Sequence, residues 1–503
     1  MFTEEQVRNI KESAEKLLLE KFKSGNDRDC ELLASQILKV DPTNAKIIQI
    51  LGLLKHKQQN YNAAQSLFEN LIVIEPENYE NYNNLGLCLS GQGKYADAVE
   101  ALKKAAELRP DLDFVHSNLG LQYRNNKNID DAIAHFDTAL SLKPTAESFS
   151  MLGGCYGELR NLKKAEECFR SAIALNPDFP GAHVDLASIH QFRGEWDKAW
   201  PEYEWRFKLY EQSRFWDVIF DPAKRLKPGI DVAGKRVLIH PEQGTGDMIH
   251  FFRYVRFLKE KKAHVILHCW ESLRGLLQVD VDEIYTKEPA NIPPHHERKA
   301  DFGMPEHDLH CSIMSLPYVL DMKEIPSNPY IKNYELFDAS TYKNVKKIGI
   351  AWAGNPQHPN DKWRSCMLRE FKILHDMENT KLFSLQKDIR PRKYRFEGKA
   401  IDLTDGAENM KVIDVSNMLD DFSKTAAVIA EMDAIVTVDT AILHLAGAMG
   451  KRTIAMIAES CDWRWGLEGN NTTWYPSVTL VRKDGEDWGS AFSMAHKILR
   501  DQP

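Results

Sequence analysis

The chain has 503 residues, 43% of them hydrophobic and 27% charged, with a formal net charge of −8. At roughly 150 residues per domain this length calls for about three domains, and the composition excludes a disordered or fibrous chain. No apolar run approaches the ~20 residues of a membrane helix, and no stretch carries the basic excess of a nucleic-acid binder.

The N-terminal Met1-Phe2-Thr3-Glu4-Glu5 lacks the basic region and apolar stretch of a secretory signal, so a cytoplasmic location is expected. The eight cysteines (Cys30, Cys88, Cys155, Cys168, Cys269, Cys311, Cys366, Cys461) form no Cys-x-x-Cys pair and have no histidines at zinc spacing. They read as reduced, mostly buried thiols.

A repeat fills the first two fifths. Pro42, Pro76, Pro110, Pro144 and Pro177 recur every 33 or 34 residues. Gly52, Gly86, Gly120 and Gly153 each follow a leucine. Ala64, Ala98, Ala132, Ala165 and Ala199 hold a small-residue position further on, and Phe68, Leu102, Phe136, Phe169 and Tyr203 a large one four beyond it. Within a unit, Tyr79–Gly91 and Tyr95–Leu108 are predicted as two amphipathic helices, small residues marking their close approach and proline following the second. One hairpin cannot bury its apolar face alone, so units must stack. This period and residue order resemble the tetratricopeptide repeat. Five units are expected between about 11 and 179, with a sixth, 180–212, that reads Trp200-Pro201-Glu202-Tyr203-Glu204-Trp205-Arg206 and is aromatic enough to dock on the following domain. The resemblance implies binding of a peptide, a protein partner or a second copy; the plainer alternative is a cap. Asn81, Asn83 and Asn84, with Tyr79 and Tyr82, read either as a polar groove or as a solvated face.

Beyond about 213 the period vanishes and short β-rich runs alternate with helical stretches, the pattern of parallel sheets. Strands are predicted at Arg236–His240 and His264–His268, with a helix over Met248–Lys261 between them. A second set is predicted at 347–353, 381–385, Ala434–Val438 and Thr453–Ile457. Pro317, Pro326 and Pro329 mark a linker. Two such sheets face a cleft at the carboxyl ends of their strands, where ligands bind.

The candidate residues follow strands. Gly244-Thr245-Gly246-Asp247 is a turn that enters a helix, with Asp247 either a cap or a group in the cleft. The loop Gly354 to Ser365 carries Asn355, Lys362 and Arg364, two cations suited to a pyrophosphate, or paired with Asp361 or Glu370. Asp439-Thr440-Ala441 runs into a helix whose His444 falls four residues after Thr440, on the same side of the first turn. Asp439 could equally cap the helix and His444 belong to the core.

Together these blocks resemble glycosyltransferase family 9, the heptosyltransferase-like family, over roughly 180–500. The resemblance rests on Glu202-Tyr203-Glu204-Trp205-Arg206, Gly244-Thr245-Gly246-Asp247, Trp352-Ala353-Gly354-Asn355-Pro356, Asn360-Asp361-Lys362, Arg364-Ser365, Ser384-Leu385-Gln386-Lys387, Val438-Asp439-Thr440-Ala441 with His444, Asp462-Trp463-Arg464-Trp465 and Trp474-Tyr475-Pro476. It implies an α superhelix of repeats over 1–212 followed by an α/β GT-B region: an acceptor-side Rossmann-like domain at 213–340 and a nucleotide-sugar-binding one at 341–503. By the same resemblance Asp247 is the general base and Gly244, Thr245 and Gly246 the acceptor-side loop. Asn355, Lys362 and Arg364 hold the diphosphate in place of a metal, Gln386 sits where a nucleotide is contacted, and Asp439, Thr440, Ala441 and His444 form the donor segment. No metal and no cofactor beyond the nucleotide-diphosphate sugar are then expected. The family usually has Gly where Ala441 stands, so the donor sugar is not inferred. The expected activity is inverting transfer to a protein, peptide or glycan acceptor recruited by the repeats. The alternatives are a scaffold without catalysis and another nucleotide-sugar enzyme such as an epimerase. Trp463, Trp465 and Trp474 either line the cleft or pack the last helix.

Overall fold

The computed structural model describes residues 4–209, 220–286, 304–355, 361–387, 393–396, 399–485 and 487–501. The chain divides into two compact units, Met1–Leu186 and Ala187–Pro503.

The first unit is a stack of helical hairpins, among them Ala45–Lys57 with Tyr61–Ile74, Tyr79–Gly91 with Tyr95–Leu108, Asp113–Asn125 with Ile129–Leu142, and Ala146–Glu158 with Leu162–Leu175. The periodic residues explain the packing. A Cβ placed on Gly52, Gly86, Gly120 or Gly153 would lie 2.9, 2.6, 3.1 or 2.6 Å from the side chain of Phe68, Leu102, Phe136 or Phe169, respectively. Each glycine is thus the seat for the large residue sixteen positions later, and Ala64, Ala98, Ala132 and Ala165 are fully buried beside these contacts. The turn inside each hairpin reverses through one left-handed residue at Gly25, Gln59, Gly93, Lys127 and Arg160 (φ 72°, 58°, 75°, 65° and 56°). The expected polar groove is partly consumed by the stack. Asn81 is buried with its amide on the Leu71 carbonyl (3.4 Å), and Asn83 accepts from Asn118 of the next unit (2.9 Å).

The second unit holds two parallel sheets. The first is ordered β3-β2-β1-β4, with β1 Arg236–His240, β2 His264–His268, β3 Glu283–Tyr285 and β4 Leu309–Ser312. The second is ordered β12-β11-β10-β5-β6-β9, with β5 Lys346–Ala351, β6 Thr380–Ser384, β9 Val412–Asp414, β10 Ala434–Val438, β11 Thr453–Ile457 and β12 Val478–Arg482. An antiparallel pair, β7 Lys393–Phe396 and β8 Lys399–Asp402, stands apart. All pairings in the two larger sheets are parallel. The architecture is the expected one, tetratricopeptide repeats followed by an α/β GT-B region. One continuous core includes Val237, Ile239 and Val265 of the first sheet with Ile435, Leu443 and Ala446 of the second.

Helix Trp196–Tyr203 belongs to this second unit and buries Trp196, Trp200 and Tyr203 in the same core. The single helix predicted over Met248–Lys261 is instead Thr245–Phe251, a 3-10 turn Phe252–Tyr254, and Val255–Glu260. At the break the buried Arg253 donates from Nε to the His250 carbonyl (2.9 Å) and from Nη1 to the Trp474 carbonyl (2.8 Å). A side chain competing for a helix carbonyl accounts for the local tightening.

The proline-marked linker is fastened. Pro317 is buried in helix Leu316–Val319. Tyr330 and Ile331 donate their backbone N–H groups to the Ala448 carbonyl (2.9 and 3.2 Å), while the Tyr330 hydroxyl donates to the Ile249 carbonyl (2.9 Å). The eight cysteines, all described, form no disulfide, and seven are buried. Among the described residues no helix is long and apolar enough to cross a membrane.

Candidate functional site

The apolar runs β1 and β10 are central strands of their sheets, and each leads into a helix whose first turn has small residues. Helix Thr245–Phe251 begins at N-cap Gly244, and helix Ala441–Ala448 begins at N-cap Thr440, whose hydroxyl accepts from the Ile442 N–H (3.3 Å). The two helices meet. A Cβ on Gly246 would stand 3.0 Å from His444 Cδ2 and 3.5 Å from Ala441 Cα, so the bare glycine gives His444 its room in this approach. Gly244, Thr245, Gly246, Asp247, Thr440, Ala441 and His444 therefore converge at the carboxyl ends of the two sheets.

Asp247 is not the N-cap, which is Gly244; it occupies the third position of the helix and its carboxylate reaches back to accept from the Gly244 N–H. Arg464 donates from Nη2 to its carboxylate at 2.7 Å and from Nη1 to Asp462 at 3.0 Å. Burial pushes the Asp247 carboxyl above the ordinary range and the Asp462 and Glu242 charges add to this, while Arg464 opposes it. The group is a stronger base than a free aspartate, with a cation beside it favouring the ionised form.

Asp439 is half-buried at the end of β10. The cap role falls to Thr440, leaving the Asp439 carboxylate to face Asp462, Trp465, Arg364 and Arg464. Burial first, then the Asp462 charge, pushes its carboxyl up to about 6. His444 is buried, stacks on Trp465 (5.5 Å between centroids) and meets the Tyr475 hydroxyl at Nδ1 (3.0 Å). Burial and the Arg464, Arg253 and Arg364 charges hold it neutral. His250 Nδ1 meets the same hydroxyl at 2.8 Å. A phenol has one proton, so one imidazole accepts it and the other donates to the oxygen.

Arg364 is largely buried, pairs with Asp361 at 3.1 Å, and stands near enough to Asp439 and His444 to shift both. A Cβ on Gly354 would meet Asp361 and the Arg364 guanidinium. The backbone therefore runs directly under that ion pair. Asn355 is exposed at the end of the described part of its loop, and residues 356–360 and the Lys362 side chain lie outside the described residues. Gln386 is buried and uses its side-chain oxygen to accept from the Ala353 N–H (3.1 Å), closing the end of β5. Trp465 and Trp474 are almost fully buried, and Trp463 is partly so. They pack on His444, His250 and Trp196, whereas the last helix, Gly489–Asp501, packs through Phe492 on Phe371. Among the described residues no three His, Cys, Asp or Glu side chains gather as metal ligands.

Sequence reasoning did not single out Arg464, Tyr475, His250 or Glu242. Arg464, Tyr475 and Glu242 were signalled only by membership of the Asp-Trp-Arg-Trp and Trp-Tyr-Pro segments and of the turn before Gly244, and His250 only by its place in the expected helix.

The profile of glycosyltransferase family 9 (heptosyltransferase) matches residues 400–487, which include Asp439 to His444 and Asp462 to Arg464. Tetratricopeptide repeat profiles match 79–112, 114–146 and 146–179. Solved structures similar to part of this chain include a thermophilic TPR protein of Thermus thermophilus (23% identity, covering 36% of this chain and 98% of that one, TM-score 0.31). MamA (22%, 33% and 96%, 0.30) and PilF of Pseudomonas aeruginosa (18%, 42% and 97%, 0.36) are also among them. No curated protein matches significantly. The chain thus carries tetratricopeptide repeats and a glycosyltransferase family 9 segment. The latter supports glycosyltransferase activity in general, and the repeats support protein interaction.

Proposed function

We propose that the second unit transfers a sugar from a nucleotide-diphosphate sugar to a hydroxyl of a protein, peptide or glycan acceptor recruited by the repeats, with inversion at the anomeric carbon and without a metal. The observation that carries this reading is the meeting of two helix N-termini, one bearing Asp247 with its raised basicity and the other following Asp439 and Thr440. In this reading Asp247 takes the proton of the acceptor hydroxyl as its oxygen attacks the anomeric carbon. The bond from that carbon to the phosphate oxygen breaks on the opposite face, and the diphosphate leaves with the electron pair. Arg364, Lys362, Asn355 and the N-terminus of helix Ala441–Ala448 meet its charge, and Asp439 accepts from sugar hydroxyls.

The test is thermal stability with ADP, GDP, UDP, CDP and TDP and their sugars, followed by transfer assays with the one that binds. A nucleotide at ~100 times its dissociation constant stabilises the binding unit by about 2.7 kcal/mol. Stabilisation by one nucleotide, lost in Arg364→Ala, together with transfer that falls about 10²–10⁴-fold in Asp247→Asn, is the expected outcome. A folded protein that binds none of them is a scaffold instead.

A further inference from the structure

Two segments clamp Asp247, and both are held from the same place. The first is the loop around Asp462 to Trp465, which supplies Arg464. Trp463 in this loop lies against Trp196 (6.0 Å between centroids), Trp200 (6.2 Å) and Trp474 (5.6 Å), and the Arg464 guanidinium lies over the Trp463 ring at 4.3 Å. The second is the turn between β1 and helix Thr245–Phe251, which carries Glu242 five residues before Asp247. Arg206, fully buried, donates from Nε and Nη2 to the two Glu242 oxygens, both at 2.8 Å, and also to Glu204 (2.7 Å) and Ser315 (2.8 Å). Ser312 donates to Glu242 at 2.5 Å, and the Glu242 side chain is 1% exposed.

Trp196, Trp200 and Arg206 come from one short stretch, the helix that ends the repeat-like region and the turn after it. From these contacts we propose that this stretch positions the Asp247 carboxylate, holding Arg464 against it from one side and the Glu242 turn from the other. The proposal rests on the reading of Asp247 as the base. Simple docking would not require this arrangement. A fully buried Arg–Glu pair is often no more stabilising than apolar residues of the same volume, so its contribution is geometric. Trp200 accepts a further cost, since its indole N–H is buried without a partner. The aromatic contacts of Trp196 and Trp200 reach Trp463 in the loop that carries the partner of Asp247, and also Trp474 and Phe251.

The charged and titratable groups facing Asp247 are Arg464 and Asp462 from the loop, Glu242 from its own turn, and Tyr203 from helix Trp196–Tyr203. Of these only Arg464 favours the ionised carboxylate. Loosening Arg464 therefore moves the Asp247 titration upward.

The experiment is an isotope-edited infrared titration of the full chain labelled with carboxyl-¹³C aspartate, with the Asp247→Asn spectrum subtracted to isolate Asp247. Trp463→Ala, with Trp463→Phe as the milder version, is expected to raise the midpoint by about half a pH unit or more, and Arg206→Met, with Arg206→Lys as the milder version, to displace it by a comparable amount. Phe492→Leu, in the core under the last helix, is expected to leave it in place. An unmoved midpoint in folded Trp463 and Arg206 variants overturns the proposal, as does an equal shift in Phe492→Leu. This readout needs no substrate. If the midpoint moves but Asp247→Asn transfers sugar normally, the positioning stands and the general-base reading fails.

Discussion

The repeat array and the cleft of the second unit bury their side chains by opposite means. In the array, order comes from one small device used repeatedly: a glycine under a large residue, a buried alanine, and one left-handed turn residue per hairpin. Among the described residues of the array, buried charge is nearly absent. The cleft instead buries Arg206, Arg253 and Arg464, with His250 and His444 held neutral beside the last two. The array spreads its stability over equivalent contacts, as repeat proteins do, whereas the cleft concentrates it in a few charged ones whose removal leaves a partner stranded.

That contrast is broken most severely at Arg464. Arg464→Ala leaves Asp247 and Asp462 close together with no counter-ion and is expected to destabilise the second unit by about 3–5 kcal/mol, seen in chemical denaturation. Gly153→Ala is the corresponding test in the array. Alanine is the better helix former by about 1 kcal/mol, yet its Cβ would sit 2.6 Å from the Phe169 ring. A net loss of about 1–3 kcal/mol is expected, and Gly153→Ala in a Phe169→Leu background should recover part of it.

A third test reverses the sign. Burial and Asp462 favour protonated Asp439 in the folded protein, so between its ordinary 3.8 and about 6 the native state keeps a proton that the unfolded chain has released. Stability falls as pH rises through that window and is flat above it. Asp439→Asn is expected to flatten the dependence and to raise stability at pH 7 by about 2 kcal/mol, while impairing transfer. The smallest effect is expected at Gln59. Glycine relieves its left-handed backbone (φ 58°), and Gln59→Gly should stabilise the array by about 0.5–1 kcal/mol in thermal melts.

The same contrast explains what the sequence could tell. The glycine seats were legible because each recurs with its large partner at a fixed spacing, and β1, β2, β10 and β11 because they are uninterrupted apolar runs. Strand β4, Leu-His-Cys-Ser, has neither signal and is a strand only because β1 lies beside it. In the cleft, Asp247, Thr440 and His444 were legible from strand-to-helix turns. Arg464 was not, because its partner is 217 residues away and nothing local distinguishes a guanidinium that reaches across from one in solvent. Gln386 was legible as a residue at a strand end, but not as one committed to the Ala353 N–H. The linker prolines signal an interruption in the sequence, whereas Pro329 packs where a Cβ on Gly450 would be (2.6 Å).

The tie made by the next residue has a mechanical consequence. Tyr330 is bound through its backbone to the end of helix Ala441–Ala448 and through its hydroxyl to the end of helix Thr245–Phe251. These are the far ends of the two helices that meet at the cleft. Their near ends are held too, where Gly246 approaches His444 and Arg464 binds Asp247, so the pair is tied at both ends and Asp247 and Thr440 sit on one braced frame.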